Sequence, residues 1–159
     1  MKIKSKNTKN SSGITFLELI LSILIVSICL FSIAPAYLEN IILNWQLENQ
    51  ADLIAENLRI IRNSAFNGET NNSILFDINQ NAYYIFSNNG KQSSRFDLAN
   101  KITFKNAYCG SSNRCSFSIH GVPNEGGGKI SLICKQINKE IDIIIGTATG
   151  RIWINKNVN

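Results

Sequence analysis

The chain has 159 residues, 44% of them hydrophobic and 17% charged. That is the length of about one domain, and the balance excludes both a disordered chain and a multi-span membrane protein. The formal charge of +5 invites a polyanion partner, but Lys2, Lys4, Lys6 and Lys9 supply most of it; without them the net charge is about +1, and no strong overall field remains.

Those four lysines precede an apolar segment that runs from Ile14 to Ala36. Its only polar interruptions after Leu19 are Ser22, Ser27 and Ser32, whose hydroxyls can bond back to the preceding helical turn. At about 1.5 Å per residue the segment reaches roughly 34 Å, enough for a bilayer core. Lysines before it and none within it predict a cytoplasmic N-terminus. An ordinary secretory signal has a shorter apolar core and a small-x-small cleavage site, and Ser32-Ile33-Ala34 is a poor match. The expectation is a single-pass protein of the inner membrane with its C-terminal domain outside the cytoplasm.

Glu18 is the one charge in the segment. An ionised carboxylate in a bilayer costs roughly 2.5–3.5 kcal/mol on insertion scales and usually has a partner. Nothing basic lies within the segment to pair with it. A cut after Gly13 would create an α-amino group on Ile14, and the free N-terminus of a neighbouring subunit would then neutralise Glu18.

Gly13-Ile14-Thr15-Phe16-Leu17-Glu18-Leu19 resembles the leader junction of type IV pilins and type II secretion pseudopilins. The resemblance implies cleavage by a prepilin peptidase between Gly13 and Ile14, N-methylation of Ile14, and a role for Glu18 in assembly of a helical filament. Ile14 replaces the usual phenylalanine. Pro35 falls where many pilins carry a helix-kinking proline, and proline removes a backbone donor and bends a helix.

Leu47, Ala51, Ile54, Leu58, Ile61 and Ala65 then form an apolar stripe at helical spacing, with Glu48, Asp52, Glu56, Arg59 and Arg62 read as its solvated face. Asn67-Gly68 is a stop signal. The predicted helix covers residues 14–66, on the order of 80 Å. Beyond it the pattern reads as strands: a hairpin of Ile74–Ile78 with Ala82–Phe86, short strands at Lys101–Lys105 and Ser116–Ile119, a second hairpin of Lys129–Cys134 with Glu140–Ile145, and Arg151–Ile154 after the Thr149-Gly150 turn. The fold expected is α+β and pilin-like: one long N-terminal helix, its first half transmembrane, packed on an antiparallel sheet domain. The expected division is a leader at 1–13, a transmembrane and assembly half at 14–36, an amphipathic half at 37–68 and a β-rich domain at 69–159.

The second half resembles the C-terminal domain of GspH/FimT-type pseudopilins and minor pilins, on Phe117 to Gly121, Lys129 to Leu132, Glu140 to Ile145 and Gly150-Arg151-Ile152. Some minor pilins of that branch bind DNA during uptake through a Gly-Arg-x-Arg turn. Here Trp153 stands in place of the second arginine. Arg151 and Lys156 are candidate phosphate contacts and Trp153 a candidate stacking surface; in the competing reading Arg151 and Trp153 simply face outward on the last strand.

Cys109 and Cys115 bracket a short loop and are the expected disulfide outside the cytoplasm. Cys134 allows two other single bridges, and the sequence does not choose. Cys29 reads as a small apolar residue in the helix. His120 is the only histidine and stands apart from any paired-ligand spacing, so no metal is expected. No nucleophile motif or phosphate loop is recognisable, so neither catalysis nor a cofactor is expected. The functional expectation is a minor pilin or pseudopilin, a structural subunit of a type IV pilus or type II secretion pseudopilus at filament initiation or the tip. Its partners would be other pilin or pseudopilin subunits, the prepilin peptidase, the inner membrane, and DNA or a secreted substrate. The alternatives are a DNA-binding minor pilin for natural transformation and a plain single-span anchored protein.

Overall fold

A computed structural model gives the fold. The structure describes residues 15–88 and 90–158, with side chains at all of these except 32–36, 157 and 158. One helix, α1 (Phe16–Phe66, 51 residues), is followed by eight strands: β1 (Ser73–Asp77), β2 (Ala82–Ser87), β3 (Gln92–Asp97), β4 (Thr103–Cys109), β5 (Arg114–Ser116), β6 (Gly128–Cys134), β7 (Lys139–Ile145) and β8 (Ile152–Val158). The chain divides into two compact units within α1, residues 1–38 and 39–159.

In the first unit Thr15 caps α1: its hydroxyl oxygen accepts from the Glu18 N–H at 3.3 Å. The Thr-x-x-Glu spacing is that of a capping box. Ser22 donates to the carbonyls of Glu18 and Leu19, and Ser27 to that of Ile23. The large apolar side chains from Phe16 to Phe31 are 47–82% exposed.

Two expectations are corrected here. Among the described residues no helix is long and apolar enough to cross a membrane. Glu18 also sets a carboxylate within the apolar start of α1, where an ionised group in a bilayer is costly. The transmembrane first half and the single-pass inner-membrane location are therefore withdrawn. The pilin-like arrangement of one long helix on one sheet is also overturned, because the described strands form two antiparallel four-stranded sheets, sheet A in the order β3-β2-β1-β5 and sheet B in the order β4-β6-β7-β8. Pro35 falls among residues whose side chains lie outside the described ones.

In the second unit the stripe of α1 supplies the core. Leu43, Leu47, Ala51, Ile54, Leu58, Ile61 and Ala65 are buried, together with Ile74 and Phe76 of β1, Ile130 and Leu132 of β6, and Ile141 and Ile143 of β7. Phe76 meets Phe104 of β4 edge-on at 5.7 Å between ring centres, which joins the inner faces of the two sheets. The helix ends at a Gly68 turn: Gly68 N–H donates to Ala65 O, and Glu69 N–H to Ser64 O, the bond pattern of a Schellman cap.

Sheet A gains a strand that the sequence pattern does not show. β3 pairs with β2 along its whole length, yet all six of its residues are exposed, so no apolar alternation marks it. β5 covers Arg114–Ser116 rather than Ser116–Ile119, because Cys115 pairs opposite Ile74 and carries the inward face.

Two ties hold the sheets at their rims. Cys109, ending β4, is joined by a disulfide to Cys115 of β5, with Cα atoms 5.4 Å apart, so the bridge links one sheet to the other. Cys134 cannot substitute. Cys109 pairs opposite Gly128, at the far end of β6 from Cys134, about 20 Å away at strand rise and beyond disulfide reach. Cys134 is buried and free. The second tie is Glu48 of α1, which accepts from Lys139 at 2.9 Å and from Lys156 at 3.3 Å. These hydrogen bonds, that from Lys139 first, hold its carboxyl below the usual carboxylate range.

Replacing Cys109 and Cys115 together by serine should cost about 2 kcal/mol of unfolding free energy, the loop-entropy value for so short a ring; a urea midpoint unchanged from wild type would contradict a bridge between the sheets. Because the Glu48 carboxyl is lowered in the folded state, its contribution is present above its unfolded value, near 4.5, and is lost as pH falls through the folded value. Glu48→Gln should therefore weaken the chain at neutral pH and flatten the fall in urea midpoint on acidification. An acid profile parallel to wild type would remove Glu48 from the account.

Candidate functional site

The site is built on the turn between β7 and β8. Gly146 N–H donates to Arg151 O at 2.8 Å and Gly150 N–H to Gly146 O at 2.9 Å, while Arg151 N–H donates to the Thr149 hydroxyl at 3.3 Å. These bonds close a tight loop and start β8 with Arg151 exposed. Gly150 has φ of +59°, and a Cβ there would lie 1.9 Å from the Gly121 carbonyl oxygen. No other residue fits that approach.

Arg62 pins the turn to the helix. Its Nε donates to Gly121 O at 3.0 Å and its Nη2 to Thr149 O at 3.1 Å. Its guanidinium also lies over the Phe66 ring, 5.4 Å from the centroid, and that ring closes on Gly121, where an added Cβ would come within 2.3 Å of it. The end of α1, the loop after β5 and the β7–β8 turn thus form one packed knot. Arg62 was read from sequence as part of a solvated face, as was Glu48. Both instead reach across to other elements, because their positions border the buried stripe.

The knot leaves an open hollow of about 460 Å³ lined by Gly146, Thr149, Arg151 and Trp153. Trp153 is 40% exposed. The Arg151 guanidinium has no carboxylate partner among the described residues. A free guanidinium beside an exposed indole suits a carboxylate or phosphate carried next to an apolar or planar group.

The candidate residues are only partly gathered. Arg151 and Trp153 share the hollow. Lys156 does not join them: it is engaged with Glu48 on the helix side. The three-residue footprint expected for DNA is therefore divided between two faces of β8. Glu18 stands in the first turn of α1, where a carboxylate is favoured by the helix dipole. Gly13 and Ile14 lie outside the described residues. Sequence reasoning missed Arg62, Gly121 and Thr149 as parts of the site; the only signals were the Thr149-Gly150 turn and the place of Arg62 beside the stripe.

Among known proteins, no family model, curated relative or solved structure matches the chain.

Arg62→Ala should leave two carbonyls without their donor and cost on the order of 1–3 kcal/mol. Gly150→Ala should cost about 2 kcal/mol or more through the clash and the positive φ. Both should shift the emission of Trp153 in a Trp45→Phe background. Arg59→Ala, which breaks only an exposed pair with Glu56, should change stability by less than about 0.5 kcal/mol; equal effects at Arg59 and Arg62 would dissolve the pinning argument.

Proposed function

We propose that the chain is a minor pilin or pseudopilin, a structural subunit acting at the initiation or tip of a type IV pilus or type II secretion pseudopilus. The observation that carries this reading is the start of α1: a run of large apolar side chains about half to four-fifths exposed, with a single carboxylate, Glu18, in the first turn. An apolar surface of that extent needs a cover. Apolar helices of neighbouring subunits supply one, with an α-amino group freed on Ile14 of one subunit meeting Glu18 of the next. The lysine-rich stretch and Gly13 ahead of the helix support removal of residues 1–13 by a prepilin peptidase. The second unit is compatible with the reading: sheets tied to each other by a disulfide, and to an apolar-striped helix by the ion pairs of Glu48, suit a subunit that bears load.

The test is mass spectrometry of the chain isolated from cells with an active prepilin peptidase. The expected species lacks residues 1–13 and carries one methyl group on Ile14, and both changes vanish when the peptidase gene is deleted. An intact leader in the presence of the active peptidase sinks the proposal.

A further inference from the structure

Among the described residues sheet B ends on β8, and the open side of β8 has two unlike halves. Toward Val158 the pairing with β7 slips between Glu140 and Asp142, and Lys156 is drawn to Glu48. A register slip and a charge of this kind blunt an edge against further pairing. The half from Ile152 to Ile154 has neither: Ile152, Trp153 and Ile154 pair in unbroken register with Ile145, Ile144 and Ile143. Arg151 turns its carbonyl toward β7, where it accepts from Gly146. The alternation of an antiparallel ladder then directs the N–H and C=O of Ile152 and Ile154 to the open side. Arg151 and Trp153, which flank Ile152 on this strand, line the hollow; Trp153 is exposed, and Arg151 has no carboxylate partner among the described residues.

The other edges lack this combination. β5 is three residues long. β4 carries a bulge between Phe104 and Asn106, and its Lys105 is paired with Glu140. β3 is regular, but its Arg95 is neutralised by Asp97 at 2.7 Å.

We infer that the Ile152–Ile154 edge and the adjoining hollow take an extended acidic peptide segment of a partner protein by strand addition. Main-chain bonds to Ile152 and Ile154 would hold the segment in register, a carboxylate side chain would meet Arg151, and an apolar neighbour would cover Trp153. The inference does not depend on filament assembly.

The test uses the full chain, kept in solution with a mild detergent, and a capped seven-residue peptide of alternating valine and glutamate as probe, followed by calorimetry and by Trp153 emission in a Trp45→Phe background. Expected is saturable binding that weakens about tenfold or more when the glutamates become lysines, and by a similar factor when the central amides of the peptide are N-methylated. Arg151→Glu, with its circular dichroism unchanged, should reverse the preference toward the lysine peptide. The inference is overturned by any of three results: no saturation at millimolar peptide, equal binding of the two charge versions, or indifference to N-methylation. Single-stranded DNA that displaces the peptide and binds the hollow more tightly would also overturn it in favour of a polyanion site.

Discussion

The second unit depends on one stripe of one helix. From Leu43 to Ala65 the buried side chains of α1 recur every three or four residues, and the inward residues of both sheets pack with them into one cluster. Each fully buried Leu, Ile or Phe contributes roughly 1.5–3 kcal/mol, so this cluster is the main favourable term. It fixes where the sheets can sit and leaves only their rims to be decided by polar chemistry. The ties found at the rims follow from that. The disulfide closes the gap between β4 and β5, Glu48 holds the start of β7 and the end of β8, and Arg62 holds the β7–β8 turn. Glu48 and Arg62 lie on α1 beside the stripe, where a long side chain can reach past the apolar seam.

The first part of α1 obeys a different constraint. Its apolar residues surround the helix instead of forming a stripe, and they remain exposed. Glu18 looked anomalous in the sequence because it had no cationic partner within the segment. The structure gives it a local reason: it sits three residues after the capping Thr15, in the turn where a negative charge meets the positive end of the helix dipole. The carboxylate alone therefore argues less for assembly than its unpaired appearance suggested. The exposed apolar surface argues more, since a cap does nothing to cover it.

The same distinction explains which features were legible beforehand. The stripe of α1 could be read because burial imposes a period, and the β1–β2 and β6–β7 hairpins because short turns separate apolar runs. β3 could not: as an exposed edge it has no period to show, and Gln92-Ser93-Ser94-Arg95-Phe96-Asp97 reads as polar loop. The division into two sheets was hidden because it turns on β1 pairing with β5, whose residues lie about forty positions away. The choice of Cys115 over Cys134 needed the β4–β6 register. Arg62 was placed correctly on the helix and wrongly in water, because its acceptors, Gly121 and Thr149, are 59 and 87 residues away.

Gly150-Arg151 shows how a local motif changes meaning once packing is known. Read as a sequence, it suggested a phosphate contact carried on a turn. In the structure Gly150 is fixed by the Gly121 carbonyl and Arg62 by two loop carbonyls, so the turn has its shape before any ligand arrives. That shape presents Arg151 outward, with no carboxylate partner among the described residues, and places Trp153 next to it, while Lys156 is spent on Glu48. The backbone that carries Arg151 is already fixed by the turn, so it loses little further freedom when the guanidinium meets a carboxylate. The preorganisation comes from the knot behind the turn, so what the hollow can recognise is set as much by Arg62 and Gly121 as by the residues that line it.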